Sequence, residues 1–391
     1  MKVCVIGGGI SGVIASIYAS KRHDVTIIER NNSLLKKLLL TGNGRCNYFN
    51  SNMDISNFNS NSDLTNLITD NNINKVLNFY DSIGIIPKIK NGYYYPISNT
   101  ALSIKEALLK ELKNNNVKII TDTLVEDIKR VEDKFLINND LYDKVIISTG
   151  SKAYPKTGSD GIGYNLLETL NLNIINPLPS LTPLIGSEKY FNDWNGIRCD
   201  VKVSLFENNS FIKEELGEIQ LTNYGISGIC IFNLSGLVSK GINKGKKEVI
   251  SINFLPFVDN IEEFLIERNN KLKNRTIIEL LEGLINYKLV KVILKKSNIK
   301  EDITLDKITN KKELYNNLID FRLDIKDIKG YDFSQVCSGG LDLNEINLNT
   351  METKKIKNLY VIGELLDVDG LCGGYNITFA TLSGIIAGEN I

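Results

Sequence analysis

The sequence KVCVIGGGISGVIASIYASKRHDVTIIER, residues 2–30, decides the fold. Its first five residues predict a buried strand, Ile10–Ser20 a helix and Asp24–Glu29 a second strand. The turn Gly7–Gly12 has the pattern GxGxxG. In this pattern the first glycine permits a tight turn, the second lets a pyrophosphate approach the backbone, and the third allows close packing of helix and strand.

A strand, a GxGxxG turn, a helix and a second strand that ends on an acid together predict a dinucleotide site. The free N–H groups and the dipole of the helix N-terminus favour phosphate there. Glu29, at the end of the second strand, is placed to accept hydrogen bonds from the adenosine ribose hydroxyls. Since an acid at this position disfavours a 2′-phosphate, the expected ligand is FAD or NAD rather than NADP.

The composition limits the classes of protein to which this chain can belong. The 391 residues predict two or three domains, and 42% apolar with 24% charged residues exclude global disorder. The 46 basic and 46 acidic residues balance, which argues against a whole-protein electrostatic grip on nucleic acid or an anionic membrane. Six cysteines without a CxxC pair and a single histidine, His23, predict no metal site and argue against most hydrolase mechanisms. No apolar run is expected to span a bilayer, and a cytoplasmic location is predicted.

The C-terminus adds a second strand-loop-helix unit that favours FAD over NAD. Residues 357–364 predict a strand, 365–375 a loop and 376–388 a helix. In flavoproteins with two dinucleotide-binding domains, such a return places a helix N-terminus beside the ribityl and pyrimidine parts of the flavin. The segment Gly158–Gly163 has its glycines in the wrong order for a second GxGxxG, so a separate nicotinamide-binding Rossmann domain is not expected.

Three longer motifs carry a resemblance to a known family. They are KLLLTGNGRCN at residues 37–47, STGSKAYPKTGS at 148–159 and GELLDVDGLCGGYN at 363–376. With these motifs the chain resembles, over almost its whole length, the bacterial flavoproteins labelled BaiN-like or aminoacetone-oxidase-like FAD-binding proteins.

The resemblance implies an α/β fold in which an FAD-binding Rossmann-type domain is interrupted by a β-rich domain and a small helical domain. The Rossmann-type domain is similar to that of flavoproteins with two dinucleotide-binding domains. Alternating and helical periodicities place the FAD-binding domain at 1–180 and 330–391, the β-rich barrel or sandwich at 181–258 and the helical domain at 259–329.

The resemblance also implies FAD-dependent oxidoreductase chemistry. Members of the family are associated with reduction of conjugated carbon–carbon double bonds in cyclic substrates, from steroid-like enones to the uracil ring of ribosomal RNA. The leading hypothesis is a reductase of a small cyclic unsaturated substrate, with electrons from NADH or NADPH docking transiently at the flavin. Three alternatives stay open: dihydrouridine formation in ribosomal RNA, oxidation of a small amine, and a flavin-binding protein without enzymatic activity.

The cofactor-binding candidates come from the GxGxxG turn, the motifs and the strand ends. Arg45 and Asn47 offer donors in a glycine-rich loop, and Val125, in a β-rich stretch, is the candidate for a backbone contact with adenine. Gly150 ends a predicted strand, and the helix that begins near Gly374 favours negative charge on a reduced flavin. The full set is Gly7, Gly9, Ile10, Ser11, Gly12, Glu29, Arg30, Lys37, Thr41, Gly42, Gly44, Arg45, Cys46, Asn47, Val125, Gly150, Gly363, Glu364, Asp367, Gly374, Tyr375, Asn376 and Ile377, with Cys46 expected to pack rather than to act as a nucleophile.

Reduction of an activated double bond needs a proton donor as well as a hydride. The segment LTNYGISGI at 221–229 corresponds to a family block often written with His in place of Asn223 and Pro in place of Ile229. Without that histidine, the candidate proton donors are Tyr375, Cys372 and Tyr224. Whether Asn223 replaces a functional or a structural histidine stays open, as does the oligomeric state.

Two further features allow two interpretations each. Lys288, Lys291 and Lys295 recur at helical spacing, either as an ordinary solvated face or as a basic stripe that neutralises the phosphates of ribosomal RNA. Tyr93–Tyr95 either stacks on a ring or a base, or fills a wall between domains, and the wall is preferred.

Overall fold

A computed structural model describes the whole chain, residues 1–391. The chain forms two compact units, which we call the nucleotide unit (Met1–Leu178 with Ser334–Ile391) and the barrel unit (Pro179–Phe333). Each unit has its own cluster of buried apolar side chains.

The secondary structure is as follows. The strands are β1 (Lys2–Ile6), β2 (Asp24–Ile28), β3 (Phe49–Asn50), β4 (Phe58–Asn59), β5 (Pro87–Lys90), β6 (Tyr93–Pro96), β7 (Lys118–Ile120), β8 (Lys129–Val131), β9 (Lys134–Ile137), β10 (Asp140–Tyr142), β11 (Lys144–Ile147), β12 (Ile174–Ser180), β13 (Leu184–Gly186), β14 (Arg198–Glu207), β15 (Ser210–Leu221), β16 (Gly225–Gly228), β17 (Glu248–Asn253), β18 (Phe321–Ile328), β19 (Val336–Leu341), β20 (Ile346–Asn347), β21 (Glu352–Thr353), β22 (Leu359–Val361) and β23 (Asp369–Gly370). The helices are α1 (Ile10–Ala19), α2 (Asp70–Ser82), α3 (Ala101–Asn114), α4 (Ile162–Thr169), α5 (Phe191–Trp194), α6 (Ile229–Asn243), α7 (Ile261–Lys271), α8 (Ile277–Leu281), α9 (Tyr287–Lys296), α10 (Lys311–Ile319) and α11 (Tyr375–Asn390).

A seven-stranded sheet forms the centre of the nucleotide unit, in the order β20-β21-β22-β11-β1-β2-β7. The strands from β22 to β7 run parallel. Burial on both faces explains the continuous apolar runs of β1, β11 and β22, and in β1 the side chains of Val3, Cys4 and Val5 are fully buried. Because parallel strands end at the same edge, the segments that follow β1, β2, β11 and β22 meet there.

Helices α1 and α11 pack closely because glycines face their contact. A Cβ at Gly384 would lie 2.6 Å from the Ser11 carbonyl oxygen, and one at Gly388 would lie 2.5 Å from Tyr18 Cβ. Glycine therefore brings the helix that follows β1 against the helix that ends the chain.

A closed barrel forms the second unit, in the order β13-β16-β15-β14-β17-β18. Strand β14 shows the alternation that a barrel needs, since Val201, Val203 and Leu205 are buried between more exposed neighbours. The side chain of Trp194 is also fully buried, and its Nε1 donates to the Thr222 carbonyl at 3.1 Å.

The parallel sheet and the closed barrel confirm the predicted fold class, but the middle of the chain is organised differently from the expected domains. Strand β18 lies within the range assigned to a helical domain, pairs with β13 and β17, and completes the barrel. Helices α7 to α10 share the buried cluster of the barrel, and α6 lies inside the expected β-rich range. The alternation of Phe321, Leu323 and Ile325 is the signal for β18, and it lies directly behind the helical stretch.

Val125 was expected in a β-rich stretch, and strands do lie on both sides of it. Val125 lies between β7 and β8, outside any strand. None of the helices combines the length and the apolar character that crossing a bilayer requires.

Candidate functional site

The three glycines of the GxGxxG turn have three different surroundings. Gly7 has φ +104°, a region that favours glycine, and a Cβ there would lie 2.6 Å from the Ser148 carbonyl oxygen. A Cβ at Gly12 would lie 2.2 Å from the Gly7 carbonyl oxygen, so close packing of α1 on the turn requires glycine. A Cβ at Gly9 would have Ser148 O as its nearest neighbour, 4.0 Å away. The Gly9 face of the turn is therefore open.

The N-terminus of α1 begins at this open face, because Gly9 is its N-cap, and it carries no side-chain cap. Its first N–H groups and the helix dipole are available to an anion. Glu29 is buried beside them and accepts hydrogen bonds from the Gly8 N–H at 2.7 Å and the Asn31 N–H at 2.8 Å. Asn31 Nδ2 donates a third bond at 2.7 Å, so the carboxylate is fixed and keeps about one further acceptor position, and its contact with a ribose stays a prediction.

The C-terminal motif reaches the same helix end. A Cβ at Gly363 would lie 2.4 Å from Ser11 Oγ, and the Gly363 N–H donates to Ser383 Oγ at 3.1 Å. Glu364 and Lys37 form a mostly buried ion pair with an O–N distance of 2.5 Å. Residues 327 positions apart in the sequence therefore join two of the three motifs beside α1.

The segment TGNGRCN forms an irregular turn, as its glycines predict. Residues 41–43 have non-helical dihedral angles within the short helical run Lys37–Gly44. Arg45 Nε donates to the Gly42 carbonyl at 3.1 Å, and the guanidinium lies 5.1 Å from the centre of the Tyr95 ring. The turn thus presents Arg45 at the protein surface.

The end of the same segment is anchored inside the nucleotide unit. With its side-chain amide in the orientation that satisfies its neighbours, Asn47 donates from Nδ2 to the Phe49 carbonyl at 2.9 Å. Cys46 is fully buried, and burial raises the pKa of its thiol to about 12. Its side chain is therefore a neutral packing group, and a role at the cofactor would fall to its backbone.

The segment DVDGLCGGYN is held by hydrogen bonds within the unit. The Asn376 side chain accepts from the Gly370 N–H and donates to the Gly370 carbonyl, both at 2.8 Å. Asp367 accepts from the Asn61 N–H at 3.1 Å. Asn376 and Asp367 thus position the loop, and a direct contact of either with the cofactor stays a prediction.

Helix α11 starts at Tyr375, with Gly374 as an N-cap that provides no side-chain hydrogen bond. The Tyr375 ring meets the Phe58 ring edge to face, with ring centres 5.6 Å apart. Burial, aided by the nearby Tyr93, raises the pKa of Tyr375 to about 12. The hydroxyl is therefore protonated near neutral pH, as a proton donor must be.

The nucleotide unit contains every predicted cofactor-binding residue and two of the three predicted proton donors, Cys372 and Tyr375. Arg30 is turned towards an ion pair with Asp160, at 2.5 Å. Tyr224 lies in the barrel unit, between β15 and β16, where Lys329 Nζ is 3.7 Å from the centre of its ring.

Two polar residues at the end of β11 were not predicted. Ser148 Oγ donates to the Gly7 carbonyl at 2.9 Å and so supports the glycine turn. Thr149 Oγ1 is buried without a hydrogen-bonding partner. The available signal was position, since both follow directly after an apolar parallel strand and precede Gly150.

These residues fit an FAD molecule. Its pyrophosphate needs a face without side chains and with free N–H donors, which Gly9 and the uncapped start of α1 provide. Its flavin end needs a second anion-tolerant position, which the uncapped start of α11 provides. Both lie in one unit, and the Lys37–Glu364 pair connects the segments around them.

The family model described as the HI0933-like protein Rossmann domain matches residues 1–390. The chain belongs to the HI0933-like family. A relative from Clostridium scindens named "3-dehydro-bile acid delta(4,6)-reductase" is 35% identical, over 99% of this chain and 98% of the relative. An Escherichia coli relative named "Ribosomal RNA dihydrouridine synthase" is 26% identical, over 99% of this chain and 97% of the relative.

A solved structure of similar fold supports the architecture. It is a 3-ketosteroid-delta4-(5alpha)-dehydrogenase from Rhodococcus jostii RHA1, with TM-score 0.53 and 14% identity over 99% of this chain and 96% of that chain. Membership of the HI0933-like family confirms the resemblance carried by the three motifs. This member of the HI0933-like family is an FAD-dependent oxidoreductase.

Proposed function

We propose that the protein reduces a conjugated carbon–carbon double bond in a small cyclic substrate. The similarity to the bile-acid delta(4,6)-reductase over nearly the full length of both chains carries this proposal. A reductase of this kind needs a bound flavin and a proton donor close to it. The nucleotide unit has candidate residues for both.

Saturation of an activated double bond adds a hydride to one carbon and a proton to its neighbour. Bound FAD in its reduced form supplies the hydride. Gly9 and the start of α1 would hold the pyrophosphate, and the start of α11 would favour negative charge at the flavin end. Cys372, Tyr375 and Tyr224 are the proposed proton donors, of which the first two belong to the unit that holds these helix ends.

We further propose that NADH or NADPH reduces the flavin by docking transiently. The sequence has no second GxGxxG turn that would bind a nicotinamide dinucleotide permanently. Anaerobic mixing of the FAD-loaded protein with each nucleotide tests this, since bleaching of the flavin absorbance is expected with at least one of them. Persistent colour with both would assign the electrons to another donor.

The substrate class is tested by product analysis. The protein is reduced photochemically without oxygen and mixed with a 4,6-dien-3-one steroid, and a saturated 3-ketone serves as the control. The expected product has one double bond fewer and, by mass spectrometry, two hydrogens more than the substrate. An unchanged dienone beside a fully reduced flavin contradicts the proposal.

A second candidate is dihydrouridine formation in ribosomal RNA, which the E. coli relative's name suggests. Lys288, Lys291 and Lys295 are exposed on α9, as an RNA contact requires. However, Lys291 lies 3.8 Å from Glu301 and Lys295 lies 3.4 Å from Asp193, so two of the three charges already have acidic neighbours. These pairs favour the solvated-face interpretation.

Charge reversal separates the two candidates. The triple variant Lys288→Glu, Lys291→Glu, Lys295→Glu is expected to reduce the dienone at the wild-type rate. If RNA is the substrate, the same variant loses activity on unmodified ribosomal RNA and keeps its flavin. Loss of dienone reduction in the variant would contradict the expectation that this lysine face takes no part in the reduction of a small molecule.

We propose that the enzyme works in the cytoplasm. Its six cysteines are all free thiols, which suits a reducing compartment. Fractionation of cells that produce the tagged protein tests this, and recovery from the periplasm or the medium would contradict it.

A further inference from the structure

Strand β6 presents its tyrosines to two different surroundings. Tyr94 packs into the apolar cluster, with its ring edge-on to Phe49 at 5.1 Å between ring centres. Successive side chains of a strand point to opposite faces, so Tyr93 and Tyr95 share the other face. Both are only partly buried.

Each of these two tyrosines contacts a different motif loop. A Cβ at Gly373 would lie 2.7 Å from Tyr93 Cε1, which places that ring directly against the CGGY turn. A Cβ at Gly42 would lie 3.5 Å from Tyr95 Cε1, and the Arg45 guanidinium stacks over the same ring at 5.1 Å. One strand face therefore spans the TGNGRCN and DVDGLCGGYN segments.

The two ends of this face carry polar groups suited to a flat carbonyl compound. Arg45 uses its Nε on the Gly42 carbonyl, so the N–H groups of its two terminal nitrogens remain as donors for an acceptor oxygen. At the other end, the partly exposed Cys372 precedes the glycine that Tyr93 contacts. Aromatic faces between a fixed cation and a thiol suit an uncharged planar ring that bears a carbonyl group.

We propose that Tyr93 and Tyr95 form an aromatic platform on which the conjugated ring of the substrate stacks, with its carbonyl oxygen towards Arg45. This inference rests on the proposed function, because it specifies where the enone lies. It replaces the interpretation of Tyr93–Tyr95 as a wall between domains. It requires that the rings, rather than the hydroxyls, supply the binding energy.

The test measures binding separately from turnover. Calorimetry of the oxidised, FAD-loaded protein uses 2-naphthol, a planar ring with an oxygen substituent that the flavin does not reduce. Tyr93→Leu and Tyr95→Leu remove one ring each, whereas Tyr93→Phe and Tyr95→Phe keep it. Tyr287→Leu, which removes an exposed tyrosine from α9 in the barrel unit, is the matched control.

Each leucine variant is expected to weaken 2-naphthol binding by about two- to tenfold, because one stacking contact is lost. The phenylalanine variants and Tyr287→Leu should bind it within about twofold of wild type. With the dienone, the leucine variants should raise KM more than they lower kcat. Wild-type affinity for 2-naphthol in both leucine variants would overturn the platform.

Two further results keep the test decisive. If a leucine variant binds less FAD than wild type, Tyr93→Phe is compared with Tyr93→Trp, and the larger ring should bind 2-naphthol more tightly. Equal affinity there also overturns the platform. If no enone is reduced but the leucine variants lose 2-naphthol binding, the proposed function fails and the platform stands as a ring-binding site.

Discussion

The nucleotide unit and the barrel unit differ in what surrounds the residues that the sequence singles out. In the nucleotide unit, glycines keep one face open and two helix ends uncapped. In the barrel unit, the singled-out side chains already have neighbours: Tyr224 lies under Lys329, and Lys291 and Lys295 face acids. The strongest site candidates of the nucleotide unit are therefore the backbone N–H groups of that open face, whereas Tyr224, Lys291 and Lys295 of the barrel unit are side chains that already have partners.

The largest effect is expected from a side chain placed between α1 and the glycine turn. Gly12→Val puts a side chain 2.2 Å from the Gly7 carbonyl and 2.4 Å from Ser148 Oγ, and the backbone oxygen has no alternative position. We expect a loss of about 3 kcal/mol or more in the free energy of unfolding and no bound FAD. Thermal unfolding followed by circular dichroism and flavin content after purification check this. A stable, yellow Gly12→Val protein would contradict the close packing of α1.

Valine on the open face of the turn should weaken FAD binding without destabilising the fold. The nearest non-neighbouring atom to the Cβ of Gly9→Val is Ser148 O at 4.0 Å, and φ of −73° at this residue suits valine. We expect the apoprotein to melt close to the wild-type temperature, whereas the dissociation constant for FAD rises by about a hundredfold or more because the side chain occupies the pyrophosphate position. Fluorescence titration with FAD measures the change. Unchanged FAD affinity would place the pyrophosphate elsewhere.

The proton donor is expected in the unit that binds the flavin. Removing a general acid typically lowers the rate by about a hundredfold or more. We expect this for Cys372→Ala or Tyr375→Phe in single-turnover reduction of the dienone, and a change below about threefold for Tyr224→Phe. A large loss in Tyr224→Phe alone would move the donor to the barrel unit.

The smallest expected effect concerns the stability of the barrel unit. Glu248 is buried without hydrogen-bonding partners, and burial together with Glu207 raises its pKa to about 7, with Lys246 acting in the opposite direction. The folded state holds the Glu248 proton more tightly than the unfolded state, whose pKa is about 4.5. Stability is therefore fully present below about pH 4.5, falls as the pH rises towards 7, and stays lower above it.

Glu248→Gln removes this penalty, because the amide carries no charge at any pH. We expect the variant to melt a few degrees higher than wild type at about pH 8 and close to it at about pH 5. The exposed Glu282→Gln is the control and should leave the melting temperature unchanged at both values. A Glu248→Gln variant that melts lower than wild type at about pH 8 would show that the buried carboxylate is needed.

Much of the nucleotide unit could be predicted because its signals are local. The GxGxxG turn, both strands beside it and α11 follow from patterns within about 30 residues. Strand β18 was missed because its alternating pattern lies directly behind the helical stretch, and because its partners β13 and β17 lie far away in the sequence.

The site was predictable as a set of residues but not as a set of contacts. Motif letters identify Lys37 and Glu364, yet nothing in the sequence says that they pair with each other. Likewise, three consecutive tyrosines give no indication which rings face the motif loops, because that depends on the register of β6 against β3 and β5. These contacts depend on how distant segments of the chain pack against each other in the fold.

The central claim is that the reduced flavin passes its electrons to a conjugated ring. The most direct measurement is stopped-flow reoxidation of the anaerobically reduced protein. In separate experiments the protein is mixed with a 4,6-dien-3-one, with unmodified ribosomal RNA and with dioxygen. The account predicts rapid reoxidation by the dienone and slow reoxidation by the other two. Rapid reoxidation by dioxygen with no response to the dienone would contradict it and indicate an oxidase, and no response to any acceptor would indicate a flavin-binding protein without this activity.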